Sequence, residues 1–371
     1  MYEKLGCYIN GAWRTETGKG ENVINPADES VLAFLPHATI KDLEDALESA
    51  KNGFNIWKNT SVQKRAETLQ KTADLIEKRS EQISRIITLE QGKPLKESQG
   101  ELQRTVETFR WNAEYAMKNI QQRSILRQTG LRQSVRVEPV GVSVGLTPWN
   151  FPAFLVARKL APALAAGCPI VIKPASSTPF TATGLVELAD RAGIPNGVIN
   201  LLSGSARAIG QEMTRNPTVR KLSFTGSTEI GKELMSQCSG TVKKVALELG
   251  GNAPLIVFND CNIDQAVAGA MAAKYRNTGQ ACVCANRILV QDGVYDEFSK
   301  KFAQSVGELK VGPGLEQGVT QGPLIDMAAV EKVEEHIKDA LEKTPPELSL
   351  EIEPLANTTR YDNLREDRHA D

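Results

Sequence analysis

Cys282 stands in the run Asn277-Thr278-Gly279-Gln280-Ala281-Cys282-Val283-Cys284-Ala285-Asn286-Arg287, after a glycine-containing turn and before an expected strand. A thiolate is the strongest side-chain nucleophile near neutral pH and adds to carbonyl carbon, provided that a base takes its proton. On spacing alone, a small buried core cysteine is the commoner occupant of such a position. Histidine is the usual base, but His37, His336 and His369 lie in an N-terminal segment, a charged helix and a charged tail, none in a context that suggests a cysteine partner. Glu248, in Val245-Ala246-Leu247-Glu248-Leu249-Gly250-Gly251-Asn252, is the better candidate. It is an acidic residue in an apolar strand ended by two glycines, where desolvation would raise its affinity for a proton. A salt-bridged structural glutamate fits the same residues equally well.

These side chains need a frame, and hydrophobic periodicity outlines one. Residues 1–40 read as strands and turns, with turn signals at Asn10-Gly11 and Asn25-Pro26. Thr39 caps a helix whose apolar face is Leu43, Ala46, Leu47, Ala50 and Phe54, and Ser61 opens the next. One unbroken period runs over 63–91 through Leu69, Ala73, Ile76, Ile83, Ile86 and Ile87, stopping at Gly92 with Pro94 beyond. A helix over 95–117 follows, then a β-hairpin with a polar face at 123–140. From residue 141, strands at 142–146, 170–173, 198–202 and 221–225 alternate with helices at 157–166, 181–192 and 206–214. Such a βαβ series predicts a doubly wound α/β fold on a parallel sheet, with ligands at the carboxyl ends of the strands. A second α/β unit spans 250–343, with strands at 254–258 and 287–290 and helices at 263–276 and 294–306. Residues 344–371, with Pro345, Pro346, Pro354 and a charged end, are expected to hold little fixed structure.

Composition narrows the function classes. Forty-four basic against 45 acidic side chains leave a formal charge of −1, so no global field draws the protein to nucleic acid or to an anionic membrane. The start lacks an apolar signal region and no long apolar run follows, which predicts neither a signal peptide nor a membrane span. A cytoplasmic protein acting on a small molecule is expected. Six cysteines spread along the chain form no disulfide framework, and no motif suggests a metal.

Two segments carry a specific resemblance. Leu247-Glu248-Leu249-Gly250-Gly251, with Gly279-Gln280-Ala281-Cys282 placed 34 residues from glutamate to cysteine, resembles the paired signature of aldehyde dehydrogenases. Upstream, Thr147-Pro148-Trp149-Asn150-Phe151-Pro152, Lys173-Pro174-Ala175-Ser176-Ser177-Thr178-Pro179 and Phe224-Thr225-Gly226-Ser227-Thr228-Glu229-Ile230-Gly231 occur in that family's order and spacing, and the resemblance covers about residues 5–343. Within the family, the chain is similar to NADP-dependent succinate-semialdehyde dehydrogenases.

The resemblance implies an aldehyde dehydrogenase-like fold in which 1–122 and 141–249 bind cofactor, 123–140 is an oligomerisation hairpin and 250–343 is part of a catalytic domain. It implies that Cys282 attacks the aldehyde carbon, that Glu248 is the general base for the water that hydrolyses the thioester, and that Asn150, with the Cys282 N–H, stabilises the oxyanion. Cofactor contacts fall on Trp149, Asn150, Lys173, Pro174, Ala175, Ser176, Gly226, Ser227 and Leu249. The run 226–231 is not Gly-x-Gly-x-x-Gly, yet a glycine turn opening a helix offers the same backbone donors to a pyrophosphate; a plain glycine turn is the other reading. Many NAD-dependent relatives carry glutamate where Ser176 stands, so serine beside Lys173 favours NADP, with NAD possible. Arg158 and Arg276 match arginines that bind the substrate carboxylate, although either arginine alone reads as a surface ion-pair former. The run 282–287 is typical of the same subgroup. Cys284 is a candidate redox partner for Cys282 through a strained disulfide.

The implied reaction is oxidation of succinate semialdehyde to succinate with reduction of NADP. The family extends well past the position of Lys343, so a C-terminally truncated member is expected, without the family's nicotinamide-ribose glutamate, its Phe-Gly-Gly loop and its last strand. Homo-oligomers form among intact relatives, and for this chain assembly is an open expectation. Two other readings stand beside it: an inactive fragment that binds cofactor or pairs with full-length subunits, and an aldehyde dehydrogenase for another aldehyde.

Overall fold

Asn10 (φ 50°) and Gly11 (φ 82°) both take left-handed backbone, the geometry that a two-residue hairpin turn requires. They join β1 (Cys7–Ile9) to β2 (Ala12–Arg14), with Ile9 opposite Ala12. The computed structural model describes residues 5–15, 19–119, 123–126 and 132–343, with side chains of 123–126 and 132 left aside. A second hairpin, β3 (Gly20–Ile24) with β4 (Val31–Pro36), leads to α1 (Ile40–Trp57). There Thr39 and Asp42 form a reciprocal capping box, as the threonine signal predicted.

The period over 63–91 is not one helix. α2 (Val62–Lys78) and α3 (Ser80–Gln91) meet at Arg79, whose φ of −111° and ψ of 16° leave the helical region. Ile76 and Ile83 on either side are seven residues apart, close to two full turns, so the break leaves the apolar rhythm intact and invisible in sequence. α3 ends as expected at Gly92 (φ 94°), which donates its N–H to the Thr88 carbonyl at 2.8 Å. A Cβ on Gly92 would also lie 2.9 Å from both Pro26 and Pro323. Gly92→Ala is therefore expected to lower stability by ~1–2 kcal/mol in urea unfolding, with a loss near zero contradicting this account of the turn.

α4 (Leu95–Asn119) precedes the hairpin β5 (Arg123–Leu126) and β6 (Arg132–Val135), paired antiparallel with Arg123 opposite Val135. Then come β7 (Val142–Leu146), α5 (Pro152–Ala165), β8 (Ile170–Lys173), α6 (Pro179–Arg191), β9 (Ile199–Leu201), α7 (Ala206–Arg215), β10 (Val219–Thr225), α8 (Thr228–Ser239) and β11 (Lys244–Glu248). The sheet order is β11-β10-β7-β8-β9-β1-β2, and its first five strands are parallel. This is the expected doubly wound sheet. In β8, Ile170 and Ile172 face a core made with α2, α3, α4, α5 and α6, while Val171 faces the opposite core made with α1, α7 and α8. A strand covered on both faces is buried at every position, as β7 and β8 are along their whole length, and reads as mostly apolar.

β12 (Ala253–Val257) and β13 (Ala285–Val290) form a separate parallel pair, packed with α9 (Ile263–Tyr275) and α10 (Asp292–Gly307) around Val257, Val267 and Phe298. Chain contacts divide the protein into Met1–Pro323 and Leu324–Asp371. Described by itself, the second unit holds α11 (Met327–Lys343), an exposed helix carrying ion pairs such as Lys343 with Asp339 at 2.6 Å. The expected unstructured tail, 344–371, lies outside the described residues. Among the described residues, no helix is long and apolar enough to cross a membrane.

Candidate active site

β7, β8, β10 and β11 run parallel and end at Leu146, Lys173, Thr225 and Glu248, so four of the five motifs singled out in sequence, all but that of Cys282, emerge from one edge of the sheet. The chain winds from β7 to β8 and β9 in one direction, then returns to place β10 on the other side of β7. That reversal falls between β7 and β10, the usual ligand position in such sheets. The Gly226 N–H donates to the Glu248 carbonyl at 3.0 Å, and a side chain on Gly226 would collide with the Phe224 ring. Ser227 caps α8 by accepting from the Ile230 N–H at 3.3 Å, and residues 227–230 are exposed. Leu249 packs on Gly231. Trp149, Ala175 and Ser176 are half-buried, and Lys173 and Pro174 are buried.

This edge fits a nicotinamide dinucleotide. A side-chain-free turn leads to an exposed helix N-terminus, which suits a pyrophosphate. The Lys173 ammonium has no hydrogen-bond or ion-pair partner among the described residues; burial pushes its pKa down to about 8, with the Glu21 carboxylate pulling the other way. A buried ammonium in that state favours an anionic partner.

The segment that carries Cys282 is held from several sides. Asn277 (φ 53°), Thr278 (φ 54°) and Gly279 (φ 74°) are successive left-handed residues, in a short turn spanning Arg276–Gly279. The Asn277 N–H donates to Glu97 Oε2 at 2.8 Å, and its Nδ2 donates to the Asn150 and Gln280 carbonyls at 3.0 and 3.2 Å. Asn150 Nδ2 donates to the Gln280 carbonyl at 2.9 Å, which fixes the orientation of its amide. Two residues later Cys282 is exposed, and a Cβ built on Gly251 would lie 3.2 Å from its carbonyl oxygen. Asn286 Nδ2 and Arg287 Nη2 donate to the carbonyls of Gly251 and Asn252 at 3.3 and 2.8 Å. Asn150, the Cys282 loop and the chain leaving Glu248 are thus gathered at one place.

Two expectations change in detail. Glu248 is exposed and not desolvated, because β11 is the edge strand and Glu248 its last residue. The buried neighbour is Lys159, whose pKa burial pushes down to about 8 while Glu248 pulls it up. Cys284 is buried, and its thiol donates to the Lys274 carbonyl at 3.5 Å. Burial raises its pKa, and both it and Cys282 are free thiols.

Arg158 and Arg276 converge on the start of α5. The Arg158 guanidinium lies 5.4 Å from the Phe154 ring centre, and that of Arg276 5.5 Å from Phe151. Stacking on a ring restrains the fork while leaving its edge to an anion.

Sequence reasoning missed Glu90, Lys93, Glu97, Glu101, Lys159 and Asn277. Phe151 and Thr178 stand at the N-caps of α5 and α6 without making a side-chain cap bond. Distant glutamates supply the acceptors. Glu101 Oε1 takes the Ala153 and Phe154 N–H groups at 2.8 and 3.1 Å, and Glu90 takes those of Phe180 and Thr181 at 2.8 and 3.0 Å. Burial pushes Glu90 up to about 8. The available signals were the two helix starts at proline, Phe151-Pro152 and Thr178-Pro179, neither with a side-chain cap, and the period-four run Lys93, Glu97, Glu101. α5 accordingly begins five residues ahead of the expected 157, with Pro152 in its first turn.

Residues 13–347 match the aldehyde dehydrogenase family. The chain is 50% identical over 336 residues to the succinate-semialdehyde dehydrogenase [NADP(+)] of Escherichia coli K12, covering 90% of this chain and 70% of that protein. It is 50% identical over 341 residues to a 3-sulfolactaldehyde dehydrogenase of Pseudomonas putida, covering 92% and 70%. The crystal structure of an Escherichia coli NADP-dependent enzyme, also 50% identical, superposes with a TM-score of 0.90 over 92% of this chain and 71% of that one. By sequence and by fold, this chain belongs to the aldehyde dehydrogenase family.

Proposed function

We propose that this protein oxidises a short aldehyde bearing an acidic group, succinate semialdehyde first among them, to the corresponding acid with reduction of NADP. The observation that carries this reading is the gathering of the Cys282 loop, Asn150 and the end of β11 at the carboxyl edge of the sheet, with two ring-stacked arginines at the start of α5. The Cys282 thiolate adds to the aldehyde carbon. The Asn150 amide hydrogen not given to Gln280, together with the Cys282 N–H, takes the charge that develops on oxygen. NADP, when bound, supplies the hydride acceptor. Glu248 then takes a proton from the water that attacks the thioester, and its exposure leaves it open to that water. Arg158 and Arg276 hold the acidic group of the substrate.

In this reading 1–122 and 141–249 bind the cofactor, 250–343 belongs to the catalytic part, and β5 and β6 serve subunit contact in a homo-oligomer. The six free thiols suit a reducing cytoplasm.

Two measurements test it. Succinate semialdehyde and 3-sulfolactaldehyde should be turned over in preference to uncharged aldehydes of equal length. Arg276→Leu should raise KM for the charged substrates ~10–100-fold, the value of a charge-assisted contact, and leave uncharged ones unchanged. Equal rates across all aldehydes, or cofactor binding with no turnover of any, would contradict the proposal.

The cofactor choice has its own pH signature. Lys173 is ammonium below about pH 8 and loses its charge above it. A bound 2′-phosphate favours the ammonium, so NADP affinity should fall above pH 8, by up to ~tenfold per unit, while NAD affinity stays level. Parallel profiles for the two cofactors would remove Lys173 from the 2′-phosphate site.

A further inference from the structure

Lys93 is wholly buried, with its side chain 0% exposed. Its ammonium donates to Glu101 Oε2 at 2.7 Å and to the Asn150 carbonyl at 2.7 Å, and it stands 4.0 Å from the Phe151 ring centre. The other oxygen of Glu101 caps α5. One turn earlier on α4, Glu97 takes the Asn277 N–H, and the Asn277 side chain is the second donor to the Asn150 carbonyl. The face of α4 bearing Glu97 and Glu101, with Lys93 just before the helix, therefore holds three things together: the start of α5, the backbone of Asn150 and the turn that carries the nucleophile.

Stability alone is a weak reason for such a pair. Burying two charges costs several kcal/mol per ion before their attraction is counted, and apolar side chains of the same volume often serve as well. The pair's distinguishing feature is what it touches. Its ammonium ends on the carbonyl of the residue whose side-chain amide faces the reacting oxygen.

We infer that Lys93 is a positioning residue for the chemistry at Cys282, fixing Asn150 and, through Gln280, the nucleophile turn relative to the start of α5. This rests on the proposed function. Lys93 touches neither substrate nor cofactor and acts through Asn150. Arg276, the remaining charge near the ammonium, opposes it, and its guanidinium lies 5.5 Å from the centre of the same Phe151 ring.

The test uses the full chain and two variants, Lys93→Met and Lys93→Met/Glu101→Gln, the second of which removes both charges. Acylation of Cys282 is followed as the burst of p-nitrophenolate from p-nitrophenyl acetate, where the thiolate displaces p-nitrophenolate and forms an acetyl thioester without any cofactor. Lys93→Met should slow the burst ~10–100-fold, the effect of ångström-scale misplacement, lower Tm, and leave Kd for NADP within about twofold. The double variant should recover Tm and not the burst. A burst that recovers together with Tm, a normal burst in Lys93→Met, or failure of both variants to fold would each overturn the inference and leave Lys93 a core strut. Absence of a burst in the wild-type chain would instead overturn the proposed function beneath it.

Discussion

Cys282→Ala is expected to lower kcat for succinate semialdehyde by ~10⁴-fold or more, the scale seen when a covalent nucleophile is removed, while NADP binding survives. The thiol stands exposed at the end of a turn pinned by Asn150, Glu97 and Gly322, and no neighbour takes over its place. Cys284 is two residues away, yet it is buried, hydrogen-bonded to the Lys274 carbonyl and raised in pKa, three properties that disable it as a substitute. Cofactor binding is read from quenching of Trp149, whose segment follows β7 and does not depend on the thiol. Residual turnover within tenfold of wild type would exclude the assigned role.

The second large effect concerns the amide opposite the thiol. Asn150→Ala should reduce kcat ~10²–10³-fold with little change in KM, because its donor acts where charge develops and not where the ground-state aldehyde binds. Asn150→Asp should be no better, since a carboxylate cannot donate and repels the oxyanion. The Gln280 carbonyl loses a partner in both variants. A main effect on KM would make Asn150 a substrate-binding residue and shift the oxyanion to other donors.

Much of this arrangement was legible from residue order. β8, the stop at Gly92, the capping threonine at 39 and the Asn10-Gly11 turn depend on local rules, and the structure places them where those rules point. The parallel sheet followed from alternating strands and helices, and with it the common edge of four of the five motifs. Features set by distant partners were not legible. The break at Arg79 hides because its flanking isoleucines keep the period. The early start of α5 depends on Glu101, far upstream in the chain, and the ammonium of Lys93 finds its carbonyl only once α4 and α5 pack. The exposure of Glu248 depends on β11 lying at the sheet edge, a fact of strand order and not of its own apolar neighbours.

Acid quenching of the full chain during turnover of succinate semialdehyde with NADP, followed by mass analysis of the peptide containing Cys282, tests the central claim most directly. The account predicts a succinyl thioester on Cys282 that forms only when NADP is present and disappears as succinate accumulates. NADPH formation with Cys282 unmodified throughout, or an acyl group on a different residue, would contradict it.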